Sequence, residues 1–332
     1  ILFTSGTTGR PKGAVLTHGA LAASADAWAS ALEPRPTDRW LACLPLHHVA
    51  GLSMAVRAGR WGVPLEVDPR FDPARVDAAL EAGVSHVSLV PATLEDVLDV
   101  RAARSAGPAP ATLRAVLLGG APIPPALVMR SLDAGFPIRP TYGLTETGSG
   151  VTLATPDDAA DHPGASGVAL PGVEIRTGPD GEILVRGPMV FAGYLDDPAA
   201  TAAALRDGWL HTGDIGALDG DGRLTVLDRR DDLFVSGGEN VYPAEVEAVL
   251  HAHPAVRAAA VVGLADERWG QVVAAAVVLD AECGADELEA HCRGRLAGYK
   301  VPRRFVFVDN LPVTASGKLQ RSRVRQSLAG NA

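Results

Sequence analysis

The ten residues Thr4-Ser5-Gly6-Thr7-Thr8-Gly9-Arg10-Pro11-Lys12-Gly13 constrain this chain more than any other stretch. Glycines let the backbone take positive φ and approach a ligand closely. Four hydroxyl residues, a run of N–H groups and the charge of Lys12 are natural partners for phosphate oxygens. The stretch follows the apolar Ile1-Leu2-Phe3 and precedes a segment that turns helical near Thr17. It therefore reads as a strand feeding a Gly-rich phosphate loop. It is not the common nucleoside-triphosphate pattern, in which Gly-Lys-Ser/Thr run in series, because Lys12 stands between Pro11 and Gly13.

Downstream, short apolar runs alternate with helical patterns. Strands are expected at 41–44, 65–67, 86–90, 115–118 and 138–142, and helices at 18–33, 50–61, 73–82, 93–103 and 124–134. This alternation predicts βαβ units, an α/β domain with a parallel sheet covered by helices. Ligands of such sheets sit at the carboxyl ends of the strands. The opening loop, Leu44-Pro45-Leu46-His47-His48, Leu118-Gly119-Gly120-Ala121-Pro122 and Thr141-Tyr142-Gly143 all fall at predicted strand ends. From 155 to 228 glycine and proline become dense and apolar runs short, which predicts a small β-rich subdomain. Beyond it, strands at 256–263, 272–279 and 304–308, a helix starting near Pro243 and another at 286–297 predict a small α+β domain.

Single residues leave alternatives open. Glu146 is the one acid between Asp133 and Asp157. It could hold Mg2+, which takes hard oxygen ligands, or serve as a helix-start charge. His47-His48 lacks a third metal ligand nearby, and a packing or surface histidine is the alternative. Arg57 could meet a ligand carboxylate, although a solvated helix arginine is the default. Gly119 and Gly120 suit close approach of the backbone to a ligand, or a plain βα turn. Asp214 suits sugar hydroxyls, or a turn. Lys318, on a Ser-Gly loop, is by default solvated.

The opening decapeptide, Tyr142-Gly143-Leu144-Thr145-Glu146-Thr147, Trp209-Leu210-His211-Thr212-Gly213-Asp214, Leu227-Asp228-Arg229-Arg230-Asp231-Asp232 and Leu311-Pro312-Val313-Thr314-Ala315-Ser316-Gly317-Lys318 together resemble signatures of the adenylate-forming superfamily. That superfamily contains acyl-CoA synthetases, luciferases and the adenylation domains of peptide synthetases. The resemblance implies a carboxylate activated by ATP to an acyl-adenylate and then passed to a thiol, most directly that of CoA. It implies ATP or AMP contacts from Thr4, Ser5, Gly6, Thr7, Thr8, Gly9, Lys12, Gly119, Gly120, Ala121, Pro122, Thr141, Tyr142, Gly143, Asp214 and Arg229. Tyr142 would stack on adenine, Thr145 contact phosphate, and Glu146 hold Mg2+. Asp214 and Arg229 would meet the ribose. Lys318 would be the catalytic lysine of adenylation. His48, Arg57, Gly119 and Ser149 would border the acyl group. Ser236, Gly237 and Gly238 would line the approach of the thiol. The implied domains are a core over 1–228, divided into 1–154 and 155–228, and a mobile C-terminal domain over 229–332 hinged at Asp231. A glycine is common in the family where Asp228 stands, which leaves the local turn geometry open.

Within the superfamily, residues 44–62, Thr147-Gly148-Ser149 and the compact length resemble o-succinylbenzoate–CoA ligases of menaquinone biosynthesis. Arg57 and Ser149 suit an acid with a second carboxylate. Fatty-acyl and aryl-CoA ligases are the neighbouring readings. A stand-alone adenylation module loading a carrier protein, and an inactive nucleotide-binding fragment, are readings of another class. Because superfamily members carry a substantial region before the Gly-rich loop, the chain is expected to be a truncated form lacking its first subdomain and any targeting signal.

The 332 residues are 47% hydrophobic and 21% charged, enough for sizeable cores. A net charge of -9 without a basic tract argues against nucleic acid as a partner. Cys43, Cys283 and Cys292 form no CxxC pair, so neither a zinc site nor a disulfide framework is indicated, and a reducing cytoplasm is the simpler setting. No apolar run approaches the roughly 18 residues of a transmembrane helix. The sequence leaves the oligomeric state open, a homodimer included.

Overall fold

The structure is a computed structural model that describes residues 1–4, 11–229, 232–313 and 319–330, residue 229 by its backbone. Ser5, Gly6, Thr7, Thr8, Gly9, Asp231, Lys318 and the Arg229 side chain therefore lie outside the described residues. Backbone proximity divides the chain into two compact units. One comprises Ile1–Thr212 with Gly216–Val226, the other Gly213–Ile215 with Leu227–Ala332.

The first unit is built on a five-stranded sheet in the order Leu65–Val67, Trp40–Ala42, His86–Leu89, Ala115–Leu118, Ile138–Pro140. All four pairings are parallel. The three inner strands are buried at every residue, as a sheet covered on both faces requires. Alternation along each strand feeds two cores. Trp40 and Leu117 join Trp28, Met54 and Tyr142 on one face. Leu41, Val116 and Leu118 join Val76, Leu80 and Leu94 on the other. The crossover helices are Val49–Trp61, Pro73–Glu81, Pro91–Ala103 and Pro125–Asp133. Their starts are local events: Asp72 accepts from the N–H groups of Ala74 and Arg75, with proline at the first turn.

Two expectations need correction here. The strand expected at 41–44 is Trp40–Ala42, so Leu44 is released into the loop beyond it. The strand expected at 138–142 ends at Pro140, because Thr141 and Tyr142 turn to pair elsewhere: Tyr142 N–H donates to Thr152 Oγ1 at 2.9 Å.

The opening segment departs more. Leu2–Thr4 and Lys12–Ala14 form a separate antiparallel ribbon, with Thr4 opposite Lys12. The two segments that flank the Gly-rich stretch thus pair with each other and not with the parallel sheet. The connection is too short for a parallel crossover. The helix His18–Leu32 follows only after the return arm, capped by Thr17.

In the β-rich region, Glu174–Thr177, Glu182–Arg186, Trp209–Leu218 and Leu205–Arg206 lie in that order, and Leu224–Arg229 pairs with Trp209–Leu218. Two short helices, Pro156–Asp161 and Pro198–Ala204, interrupt it. Thr155 and Asp197 cap them, each followed by proline. The Gly and Pro density of the region masks these starts in the sequence.

The second unit has a three-stranded sheet. Val256–Asp266 pairs antiparallel with Gly270–Leu279, which pairs parallel with Arg304–Phe307. Helices Pro243–His251 and Ala285–Arg293 supply one core through Val246, Leu250 and Leu288. The helix Arg321–Gly330, not expected from its polar sequence, covers the other face through Val324 and Leu328. Among the described residues no helix is long and apolar enough to cross a membrane.

Candidate active site

The carboxyl ends of the parallel strands open onto a cavity of about 100 Å³. Leu44, Val90, Gly119, Thr141, Arg57 and Ser149 are in its wall. At Gly119 a Cβ atom would stand 2.6 Å from the carbonyl oxygen of Thr141, so the two strand ends can approach only with glycine there. Gly120 has φ +81°, a second reason for glycine in this turn.

Arg57 contradicts its default reading. It is 2% exposed, on the buried face of the helix Val49–Trp61 with Ser53 and Met54. Its Nη2 donates to Ser149 Oγ at 2.9 Å, and its guanidinium lies 4.1 Å from the ring centre of Trp28. Its buried Nε–H has no hydrogen-bond partner among the described residues. Burial pulls its pKa well below the usual arginine range, down to about 9, which still leaves a cation at neutral pH. An isolated buried charge is costly and is normally paired. Here Arg57 is paired with a serine and an aromatic face, in the wall of a cavity.

Ser149 is itself unusual, with φ 136°. Such strain persists only where the surroundings over-determine it. Thr147 Oγ1 donates to the Ser149 carbonyl at 2.7 Å, and Ser53 and Ser149 hydroxyls meet at 3.3 Å.

A second group forms around Glu146, in the single turn Thr145–Thr147. Its carboxylate accepts from the Tyr194 hydroxyl at 2.7 Å, and its carbonyl from Phe191 N–H at 2.8 Å. Lys12 Nζ lies 5.2 Å from the Tyr194 ring centre. Around Tyr194 the backbone is laced to the return arm of the opening hairpin. Val15 N–H donates to Gly193 O, Ala192 N–H to Val15 O and Leu195 N–H to Gly13 O, at 2.8–2.9 Å. Tyr194 thus ties the Gly-rich hairpin to the Glu146 turn, and sequence reasoning missed it. Nothing in a Gly-Tyr pair inside a turn-rich region points to a carboxylate 48 residues away. Tyr142 is buried beside this turn, its carbonyl accepting from Val151 N–H at 2.7 Å. The hard carboxylate oxygens of Glu146, held by a neutral hydroxyl, fit a Mg2+ ion shared with phosphates.

A model of the AMP-binding enzyme matches residues 1–195, and one of the AMP-binding enzyme C-terminal domain matches residues 245–318. The chain belongs to the AMP-binding enzyme family. It is 44% identical over 336 residues to 2-succinylbenzoate–CoA ligase of Bacillus mycoides (strain KBAB4), covering 98% of this chain and 69% of that one. It is also similar to solved structures of o-succinylbenzoate CoA synthetase from Bacillus subtilis. In complex with the acyl-adenylate intermediate, that enzyme is 40% identical with a TM-score of 0.91, over 98% of this chain and 68% of that one. In complex with ATP and magnesium ion the TM-score is 0.90 at 40% identity, over 97% and 68%.

The remaining positions that family membership singles out are distributed as follows. His48 is half-buried at the N-cap of the helix Val49–Trp61, its ring centre 4.4 Å from that of His47. Burial and then His47 lower its pKa. The cavity wall in this segment comes from Leu44, Val49 and Ala50. Ala121 and Pro122 follow the Gly119–Gly120 turn on the way to the helix Pro125–Asp133. Thr4 faces Lys12 across the hairpin, its hydroxyl 3.4 Å from the Lys12 carbonyl oxygen.

In the second unit, Asp214 is buried on the strand Trp209–Leu218. Asp228, the departure from glycine, plays a structural part. Its carboxylate accepts from Ala244 N–H at 2.9 Å in the first turn of Pro243–His251. Ser236, Gly237 and Gly238 form a hairpin turn between Phe234–Ser236 and Glu239–Val241. Both glycines have positive φ, 61° and 89°, as such a two-residue turn demands.

Among the described residues His253, Cys283 and Glu287 also bring ligand atoms within 4.8 Å of one another. His253 Nδ1 accepts from Ala255 N–H at 3.3 Å, and its Nε2 lies 3.5 Å from Glu287. Burial, with Glu287 beside it, raises the pKa of the Cys283 thiol.

Proposed function

We propose that the protein is a 2-succinylbenzoate–CoA ligase. The observation that carries this reading is Arg57, a buried cation with a free N–H in the cavity wall, without an acid of its own among the described residues. A substrate with two carboxylates accounts for it: one reacts, the other meets Arg57 and the Ser149 hydroxyl. The reacting carboxylate attacks the α-phosphorus of ATP and pyrophosphate leaves. The thiol of CoA then attacks the acyl carbonyl, AMP leaves, and the thiol proton passes to solvent. A role in menaquinone biosynthesis follows from that substrate, and a cytoplasmic setting suits an enzyme of free cysteines.

In this reading Thr4, Lys12 and the loop between them cradle the phosphates, with Thr145 beside them. Tyr142 and the turn from Gly119 to Pro122 cover the adenine. Asp214 and Arg229 hold the ribose. Glu146 would hold Mg2+, which supplies charge neutralisation on the phosphates when bound. Lys318 stabilises charge at the α-phosphate during attack. The domain over 229–332 turns about Asp231 between the two half-reactions and brings Ser236, Gly237 and Gly238 to the thiol. The division of the chain between Val226 and Leu227 supports a joint in this region. On the 234–241 hairpin Val235 is the one large apolar side chain that is exposed, which is less than the patch a carrier-protein partner would need.

ATP–pyrophosphate exchange with 2-succinylbenzoate, benzoate and octanoate in turn tests the proposal. Exchange is expected with 2-succinylbenzoate alone, and Lys318→Ala is expected to lower it by about a hundredfold or more. Exchange supported by another acid and not by 2-succinylbenzoate would overturn the substrate. Tyr194→Phe removes the donor to Glu146. It is expected to raise the Mg2+ concentration for half-maximal exchange by about tenfold. A Mg2+ titration that superimposes on the unaltered protein would show that the hydroxyl does not orient the carboxylate.

A further inference from the structure

We propose that Trp28 is the positioning residue that makes Arg57 available to the second carboxylate. This inference rests on the reading of Arg57 given above. Trp28 is 1% exposed, on the helix His18–Leu32, and its ring is part of the cavity wall. It acts on both partners of the Arg57–Ser149 contact. Its face lies 4.1 Å from the guanidinium, and its Nε1–H donates at 3.0 Å to the carbonyl oxygen of Gly150, the residue after Ser149. The packing is close enough to require glycine there: a Cβ on Gly150 would stand 2.7 Å from Trp28 Cζ2 and 2.2 Å from Thr141 Oγ1. The indole N–H thereby fixes the backbone at φ 136° that aims the Ser149 hydroxyl at Arg57.

The chemistry explains why an aromatic ring stands where an acid would be the ordinary partner of a buried arginine. A carboxylate would neutralise the guanidinium and compete with the substrate for its N–H groups. The face of an indole attracts a cation through its quadrupole and accepts none of the in-plane N–H bonds. The guanidinium is held in place, remains charged, and keeps its edge for a ligand.

The test compares the KM for 2-succinylbenzoate with the inhibition constants of two acids that each lack one carboxylate, 4-oxo-4-phenylbutanoate and 2-butanoylbenzoate. The protein and its Trp28→Leu and Arg57→Met variants are measured side by side. Trp28→Leu is expected to shrink the preference for the diacid by about tenfold, through its KM. A proportional loss for all three acids would mark Trp28 as a packing residue and overturn the inference. If Arg57→Met leaves the preference intact, the carboxylate reading fails and this inference with it. If Arg57→Met abolishes the preference and Trp28→Leu does not, the role of Trp28 alone fails. Should Trp28→Leu not fold by circular dichroism, Trp28→Phe decides. Loss of the N–H bond to Gly150 is expected to reduce the preference about threefold, and an unchanged preference overturns the proposal.

Discussion

Replacing Arg57 with methionine is expected to lower kcat/KM for 2-succinylbenzoate by about two to three orders of magnitude. The variant keeps the length of the side chain and removes the charge. The second carboxylate would then enter a site lined by Leu44, Leu89 and Leu117 with no cation to receive it, and a buried unpaired carboxylate is strongly disfavoured. Thermal stability should move the other way. Burial holds the folded-state pKa of Arg57 at about 9, well below that of the exposed side chain in the unfolded chain. The unfolded chain therefore binds the proton more tightly, so the charge costs stability at every pH below about 9. That cost fades as pH rises above about 9. Arg57→Met removes it, and scanning fluorimetry at pH 7 is expected to give a higher Tm beside the lost activity. A lower Tm together with unchanged kinetics would mean that Arg57 is a structural cation.

Glu247→Ala is expected to destabilise the second unit by about 3–5 kcal/mol. Glu247 sits buried on the helix Pro243–His251 and pairs through both carboxylate oxygens with Arg321, which is also mostly buried. It also accepts from Val261 N–H at 2.7 Å, joining helix to sheet. Arg321 begins the C-terminal helix and further donates to the Val261 carbonyl at 3.0 Å, with Asp232 at 3.3 Å. Truncating Glu247 leaves a guanidinium buried with weaker partners. Beside Arg321, further contacts tie together the chain on either side of 314–318. Val313 bridges Leu319, and Gln320 N–H donates to Pro312 O. The variant should therefore lose adenylation along with stability, because Lys318 stands between those anchors. Urea unfolding followed by circular dichroism measures the first effect and pyrophosphate exchange the second. The double change Glu247→Met with Arg321→Met should recover much of the stability, since two apolar side chains leave no unpaired charge. Recovered stability without recovered exchange is the expected pattern.

Much of the secondary structure was legible because its causes are local. The run Ala115–Leu118 is apolar at every position, and its shortness between turn signals suits a strand buried on both faces. Asp72-Pro73 and Tyr142-Gly143-Leu144-Thr145-Glu146 likewise carry their information within a few residues. The same local logic was present at Thr155-Pro156 and Asp197-Pro198 but was hidden by neighbouring glycines. The helix Arg321–Gly330 escaped notice because two buried residues, Val324 and Leu328, are too few to outweigh its charges.

The parallel sheet and the order of its strands and helices follow from the sequence by itself. Capping, periodicity and chain reach act between near neighbours. Only the tertiary structure decided that Arg57 is buried, since its fate depends on Ser149, 92 residues away, and on the face of Trp28. Read alone, a helical arginine belongs in water; packed against an indole and a strained serine, it becomes the charged wall of a cavity. Likewise the partnership of Glu146 with Tyr194 and the antiparallel pairing that closes the opening hairpin are distance effects. Sequence spacing carries no information about which distant side chains the packing of a sheet will bring within hydrogen-bond reach.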